Sequence, residues 1–355
     1  MAVLTYKCPH CDGGLIFDPE KQAFVCEYCQ SSFTEQELGA LSPAAQTEQA
    51  APATDAAAAA DPSAPAHAVV YSCPSCGAEV VTDDTTAATF CYYCHNPVVL
   101  SGRLDGAFLP DCLIPFAIDR EEAVSRFLTW IRRKKFVPHA FFSMEQLERI
   151  SGVYFPYWLA DCDVAARLEA DATRVRIWRT GDVEFTETKR YRLARGGTLH
   201  FEELTRLALE KADRRLVESV LPFDFSGLRD FSMGYLSGFG AEKRDIGQEE
   251  TLPAITEELK RCSEALLRDT IAEYGAVTTE DTDASIKQIT WRYALLPVWV
   301  LTYRGRDQKT YYYAMNGQNG KVAGELPIDR LRLAALFAAV AIVLFSILAL
   351  GGYLL

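Results

Sequence analysis

The hydrophobic pattern changes several times along this 355-residue chain, and the sharpest change lies near its C-terminal end. No residue from Leu333 to Leu350 is charged, and the apolar run continues to Leu355. A helix of about 23 residues rises ~34 Å, which is enough to cross a hydrocarbon layer of ~30 Å. The pattern therefore predicts a transmembrane tail anchor over residues 331–355.

The charges that flank this run predict an orientation. Arg330 and Arg332 precede it, and no charged residue follows it. Because arginine and lysine are retained on the cytoplasmic side of a membrane span, the N-terminal part is expected in the cytoplasm. The expected location is the cytoplasmic (inner) membrane, with a single pass.

Between residues 113 and 330 helical and alternating patterns are mixed, which predicts an α+β domain. Asp119 is a plausible N-cap for a helix over 120–136. Further helices are expected near 201–218 and 252–274. Alternating apolar positions predict strands over 164–169, 174–178 and 183–187.

Two features suggest how the strands of this domain are arranged. The segments Pro156–Trp158 and Pro297–Trp299 share a Pro-x-Trp pattern, which suggests two half-repeats in one sheet. Asn316-Gly317 is a strong hairpin signal, with Lys321-Val322 as the expected return strand. Trp158 and Trp299 are expected in the aromatic core.

Residues 38–68 differ from both flanking segments, because they are rich in alanine and proline and poor in large apolar side chains. Such a stretch buries too little surface to fold and is expected to be a flexible linker. The predicted fold is multidomain: two small β zinc ribbons, an α+β domain and one C-terminal transmembrane helix. The ribbons are assigned to residues 1–37 and 69–101.

The chemistry of both ribbons rests on a duplicated cysteine pattern. Each copy has two CxxC pairs separated by fourteen residues, and the copies are offset by 65 positions. Two CxxC turns supply the four thiolates of a tetrahedral structural zinc site, so two Zn²⁺ ions are expected per chain. The eight predicted ligands are Cys8, Cys11, Cys26, Cys29, Cys73, Cys76, Cys91 and Cys94.

Disulfides and an iron site are the two alternative interpretations of these cysteines. Disulfides need an oxidising compartment, and no signal peptide precedes Cys8. A rubredoxin-like iron site has a similar geometry, so the spacing leaves zinc and iron both open, with zinc favoured. His10 and His95 stand beside ligands, but each set of four cysteines is complete without them.

The charge of the chain argues against nucleic acid as the partner of the ribbons. Formal net charge is −12, and two tetrathiolate zinc sites would bring it to about −16. Residues 69–101 contain no lysine or arginine, and the first ribbon has only Lys7 and Lys21. A nucleic-acid binder must neutralise phosphates, although Tyr28, Tyr92 and Tyr93 offer rings that would stack on bases.

No catalytic site is recognisable, so we expect a protein that is not an enzyme. His139 and His200 have no familiar spacing to Asp161, Asp163 or Asp171. Cys162 lies between two acids, which disfavour a reactive thiolate, and is expected to be a small buried strand residue. A catalytic site in residues 113–330 therefore ranks third, behind a protein adaptor and a nucleic-acid regulator.

Several segments resemble a bacterial family of membrane-associated zinc-ribbon proteins. Its members are often labelled TFIIB-type zinc ribbon-containing or primosomal protein N′-like. The resemblance covers most of residues 70–355, and the N-terminal ribbon and linker depart from it. The segments that carry it are Cys73–Cys94, Leu113–Phe116, Gly152–Trp158, Gly234–Glu242, Leu296–Trp299 and Asn316–Lys321.

The resemblance implies a protein that recruits other proteins at the inner membrane. It implies a role in envelope stress or membrane remodelling, beside SPFH-domain scaffolds and coiled-coil proteins of the phage-shock type. Helicase activity is not implied, because the chain has no Walker A loop. The expected function is thus a membrane-anchored zinc-binding adaptor, with no nucleic-acid partner and with the bilayer contacted by residues 331–355.

Overall fold

The structure of the protein is a computed structural model. It describes residues 2–3, 6–41, 49–50, 69–72, 79–91, 97–100, 103–138, 141, 147, 149–212, 214–304 and 309–354. The chain divides into two compact units, which are described separately. Unit 1 comprises Met1–Pro156, Leu209–Lys243 and Leu295–Leu355, and unit 2 comprises Tyr157–Ala208 and Arg244–Ala294.

Strands dominate the secondary structure. In chain order they are β1 Ala2–Val3, β2 Leu15–Asp18, β3 Ala23–Cys26, β4 Ser32–Phe33, β5 Gln49–Ala50, β6 Val69–Ser72, β7 Glu79–Thr82, β8 Thr86–Phe90, β9 Pro97–Val99, β10 Cys112–Leu113, β11 Ser151–Thr180, β12 Val183–Leu207, β13 Arg229–Asp230, β14 Gly240–Glu242, β15 Ala276–Arg304, β16 Thr310–Asn316 and β17 Val322–Gly324. The described helices are α1 Glu35–Leu41, α2 Arg120–Arg132, α3 Arg214–Ser219, α4 Gln248–Asp269 and α5 Arg330–Leu354.

Ten strands form the main sheet, in the order β13-β10-β15-β11-β14-β8-β9, with β12 beside β11 and with β16 and β17 following β15. The ribbon strands β2, β3 and β4 form a separate three-stranded sheet. β1 pairs with β5, and β6 pairs with β7. The described chain is therefore mostly β-structure.

The core of unit 1 is aromatic. The ring of Phe116 stacks on Phe239 at a centroid distance of 4.2 Å and meets Tyr154 and Trp299 edge-on. Helix α2 begins at Asp119, whose carboxylate accepts the N–H of Glu122 at 2.7 Å. Its buried side chains are Ala123, Phe127 and Ile131.

Unit 2 is built on a long hairpin. β11 and β12 pair from Tyr157 opposite Leu207 to Thr180 opposite Val183. Alternate residues of β11, from Ala160 to Ala172, point to one face and are covered by helix α4 through Ile255, Leu259 and Leu267. The period of two in β11 and the helical spacing in α4 together make this core.

The predicted α+β class for residues 113–330 is wrong, because strands outweigh helices there. The helices expected over 120–136 and 252–274 are present as α2 and α4. The helix expected over 201–218 is instead the end of β12, followed by the short α3.

A β-bulge explains that error. Between Ala160 and Cys162 the register shifts, so that Leu204 and Phe201 face these two residues. Glu203 takes a positive φ of 59° at this point. The bulge sets Phe201, Leu204 and Leu207 three residues apart, a spacing that mimics one face of a helix.

The C-terminal apolar run forms helix α5, whose side chains are described over 331–347 and are exposed. In the described part of the chain, no helix combines the length and apolar character that a membrane crossing requires. The predicted transmembrane tail anchor, and the inner-membrane location derived from it, are therefore wrong.

The hairpin predicted at Asn316-Gly317 is present, since β16 and β17 pair antiparallel with Met315 opposite Val322. Trp158 and Trp299 are buried, at 4% and 3% exposure. Most of the expected linker, residues 42–48 and 51–68, lies outside the described residues.

Candidate metal centre

The first cysteine set lies on two turns with the same backbone hydrogen bonds. The N–H of Asp12 donates to the carbonyl of Cys8, and the N–H of Gln30 donates to that of Cys26, at 2.8 and 2.9 Å. Asp12 and Gln30 both adopt left-handed φ values, 65° and 57°. Each CxxC segment is thus folded into the same tight loop, which turns both of its sulfur atoms to one side.

The two loops bring their four sulfur atoms together. Cys8 Sγ lies 3.5 Å from Cys29 Sγ, and Cys11 Sγ lies 3.4 Å from Cys26 Sγ. All four lie within 4.8 Å of one another. A tetrahedral ion with bonds of ~2.3 Å needs sulfur atoms about 3.8 Å apart, so this donor set fits one metal ion.

The surroundings of the sulfur atoms differ. Cys8 and Cys26 are buried beside Leu15 and Phe33, whereas Cys11 and Cys29 are exposed. Hydrogen bonds from Ser31 lower the pKa of Cys29 to about 6. At Cys11 the N–H of Gly13 lowers the pKa, but the crowded thiols of Cys26 and Cys29 outweigh it and raise it to about 12.

The first cysteine ribbon is packed against the rest of unit 1, because its strand β2 contacts the segment Gly234–Glu242. The N–H of Phe17 donates to the carbonyl of Ser237 at 3.0 Å, and the Ser237 hydroxyl donates to that of Leu15 at 2.6 Å. A Cβ on Gly234 would lie 2.9 Å from Phe24, so the close approach needs glycine there.

The same segment also carries the second cysteine module. Ala241 and Glu242 of β14 pair with Ala88 and Thr86 of β8, and the N–H of Lys243 donates to Thr85. Segment Gly234–Glu242, one of the motifs of the family resemblance, is therefore the common support of both modules. The sequence gives no indication of this role.

The duplication extends to strand register. In the first module Phe24 pairs with Phe33 and Val25 with Ser32. At an offset of 65, Thr89 pairs with Val98 and Phe90 with Pro97. Cys91 is buried, while the predicted ligands Cys73, Cys76 and Cys94 lie outside the described residues.

Cys162 and His10 make contacts that are typical of structural residues. Cys162 is fully buried in β11, where burial, then Asp161 and Asp163, raise the pKa of its thiol. His10 contacts Phe33 edge-on and lies 3.0 Å from the Ser31 hydroxyl. His95 and His139 lie outside the described residues.

His200 forms an ion pair that its spacing in the sequence does not indicate. His200 faces Asp163 across β11 and β12, with Nδ1 at 2.7 Å from Oδ1, and its Nε2 lies 3.2 Å from Glu202. Only the hairpin register would have revealed it, since the two residues are 37 positions apart. Both ring nitrogens of His200 thus lie within hydrogen-bonding distance of a carboxylate.

The turn Asn316–Lys321 anchors a neighbouring segment of unit 1 through hydrogen bonds. The Asn316 side chain donates to the carbonyls of Val220 and Pro222 and accepts the N–H groups of Gln318 and Asn319. Because these bonds satisfy a fully buried amide, the motif holds the chain before β13 in place.

No family model matches the chain, and no solved structure matches it. The chain is 30% identical over 339 residues to the uncharacterized protein YdjG of Bacillus subtilis (strain 168). The match covers 96% of this chain and 94% of that protein. The chain therefore belongs to the same family as the uncharacterized protein YdjG of Bacillus subtilis.

Proposed function

We propose that this protein is a non-enzymatic zinc-binding adaptor that recruits protein partners through its cysteine ribbons. Each ribbon would hold one structural Zn²⁺, the first through Cys8, Cys11, Cys26 and Cys29, the second through Cys73, Cys76, Cys91 and Cys94. Four thiolates per ion leave no open coordination position for a substrate or a reactive water.

The observation that carries the proposal is an exposed aromatic side chain on the metal loop. Tyr28 stands between the ligands Cys26 and Cys29 and is 74% exposed. A Cβ on Gly13 would lie 2.6 Å from the Tyr28 ring, so the two loops are in close contact beneath it. A tyrosine fixed by a metal loop offers a partner a large contact at low entropic cost.

The surroundings of Tyr28 favour a protein over a nucleic acid as the partner. Glu27 and Asp12 are exposed beside it, and Lys7, one of the two lysines of this ribbon, lies 3.2 Å from the Asp12 carboxylate. An exposed tyrosine with Glu27 next to it in the chain complements a basic, aromatic-accepting pocket and disfavours phosphate.

The first partners to test follow from the family resemblance: SPFH-domain scaffolds and coiled-coil proteins of the phage-shock type. Full-length protein would be immobilised and the bound fraction of each purified candidate measured. We expect Tyr28→Ala to weaken binding at least tenfold, as loss of an aromatic anchor does. Tyr28→Phe is the matched control and should bind like wild type.

Two results would reject this proposal. Tyr28→Ala and Cys11→Ser proteins that bind every partner as wild type does would remove the ribbon from recognition. Salt-sensitive binding of single- or double-stranded nucleic acid near physiological ionic strength, lost in Cys11→Ser, would support the nucleic-acid regulator instead.

A further inference from the structure

The longest edge strand of unit 2 has one side unpaired. β12 runs from Val183 to Leu207 and pairs along one edge with β11. Among the strands that the structure describes, none pairs with its other edge. A strand edge with no neighbouring strand beside it is a template for pairing with another strand.

The outer part of this hairpin exposes apolar side chains. The N–H of Gly275 reaches the carbonyl of Thr173, and beyond that point β11 and β12 continue to their turn at Gly181. Val183 and Phe185 are 55% and 43% exposed. Phe185 stacks on Trp178 at 5.5 Å with an interplanar angle of 13°.

The sequence of this edge is complementary to itself in one register. When two copies of β12 lie antiparallel about a two-fold axis through Thr188, unlike charges face each other and apolar residues meet. The resulting pairs are Val183 with Leu193, Glu184 with Arg192, Phe185 with Tyr191, Thr186 with Arg190, and Glu187 with Lys189. Unlike charges and aromatic pairs directly opposite one another stabilise antiparallel strands.

Neighbouring registers lack this match. A two-fold axis through Glu187 places that carboxylate opposite itself, and axes through Lys189 or Arg190 do the same with a cation. An axis through Thr186 pairs no unlike charges within β12, which begins at Val183. Like charges directly opposite each other are destabilising. The charges on this edge therefore disfavour the registers centred on Glu187, Lys189 and Arg190 and are compatible with the register centred on Thr188.

We propose that β12 pairs with β12 of a second copy of this chain, centred on Thr188, to form a two-fold symmetric dimer. The interface is isologous, so each unlike-charge pair occurs twice. In this pairing Phe185 of each copy lies opposite Tyr191 of the other, and Val183 lies opposite Leu193. The inference does not depend on the proposed function.

Contacts within one copy agree with this pairing. Lys189 lies 3.4 Å from Glu187 of its own strand, and Arg192 lies 3.8 Å from Glu169 on β11. Both cations remain more than half exposed within one copy.

A charge exchange tests the register. Positions 184, 187, 189 and 192 form the unlike-charge pairs of the proposed dimer. In the Lys189→Glu/Arg192→Glu protein all four are acidic, and in the Glu184→Arg/Glu187→Lys protein all four are basic. In sedimentation velocity we expect each to have half the mass of wild type, and an equimolar mixture to regain the dimer mass. Wild type that sediments as a monomer, or two variants that keep its mass, would overturn the proposal.

A disulfide trap tests the centre of symmetry in the same full-length chain. Residues directly opposite have Cβ atoms ~5 Å apart, within disulfide reach after small adjustment, so Thr188→Cys should yield a covalent dimer under mild oxidation. Thr186→Cys is the matched control, because its two copies would lie about 13 Å apart along the strands. Equal cross-linking of both variants, or cross-linking of neither, would contradict the register.

Discussion

The hydroxyl of Tyr235 lies 2.9 Å from a carboxylate oxygen of Glu35 and 3.1 Å from the guanidinium of Arg229. Its ring meets Phe17 edge-on at 4.9 Å. Tyr235 belongs to the supporting segment Gly234–Glu242, whereas Glu35 and Phe17 belong to the first cysteine ribbon. One side chain therefore ties the folding of the ribbon to the rest of unit 1.

Replacing Tyr235 by phenylalanine should loosen this attachment. The change keeps the ring but removes hydrogen bonds to two charged groups, at a cost of roughly 1–3 kcal/mol. We expect faster amide hydrogen exchange in β2 and β3 and a lower free energy of unfolding. Tyr28→Phe, at a ring 74% exposed, is the control and should leave both unchanged. Unaltered exchange in Tyr235→Phe would show that the ribbon is held by other contacts.

Lys211 should stabilise the contact between the second cysteine module and the segment Gly234–Glu242. Its ammonium lies 2.7 Å from Asp83 and 2.8 Å from Glu242, which also accepts the Thr85 hydroxyl. Lys211→Met leaves the largely buried Glu242 without its cation, so we expect a loss of roughly 2–3 kcal/mol in urea unfolding. The control Lys21→Met breaks the more exposed pair with Asp18 and should cost under about 1 kcal/mol.

The ion pair of Asp83 with Lys211 should make the stability of the fold sensitive to acid. Partial burial raises the pKa of Asp83, but the hydrogen bond and charge of Lys211 outweigh burial and lower it to about 2. A depressed folded pKa gives stability that is present above the unfolded value near 3.9 and lost as pH falls towards 2. In Lys211→Met this acid-sensitive contribution should shrink, as unfolding at pH 3 and pH 6 would show.

His200 should titrate above an ordinary histidine. The hydrogen bond with Asp163 is the main cause that raises its pKa, with Glu202 adding to it. The resulting stability is fully present below the unfolded value near 6.5 and is lost as pH rises through the raised pKa. NMR titration should show a downward shift in Asp163→Asn and a smaller one in Glu202→Gln. Equal shifts would contradict the leading role of Asp163.

The sequence of this protein predicts the cysteine ligand set better than it predicts contacts between residues that are far apart in the chain. The spacing of Cys8, Cys11, Cys26 and Cys29 predicts a site that the structure assembles, because each CxxC loop is determined by nearby residues. The packing of Phe17 on Tyr235 joins residues far apart in the chain, and no local pattern marks it. The same reason hides the pairing of His200 with Asp163.

Errors in element type also have physical causes. At Leu204 a bulge gives a strand the apolar spacing of a helix, and only the partner strand decides between them. At the C-terminus the apolar run correctly predicts a helix, but apolar composition alone led to a predicted membrane span that the described helix does not support.

Metal content measured by elemental analysis tests the central claim most directly. We expect two zinc ions per purified full-length chain, one in Cys11→Ser and one in Cys76→Ser, with no red colour from iron. Cys112→Ser, at a cysteine outside both sets, is the control and should retain two. A Cys11→Ser protein with the zinc content of wild type, or wild type with none, would contradict the assignment of a metal centre to the first ribbon.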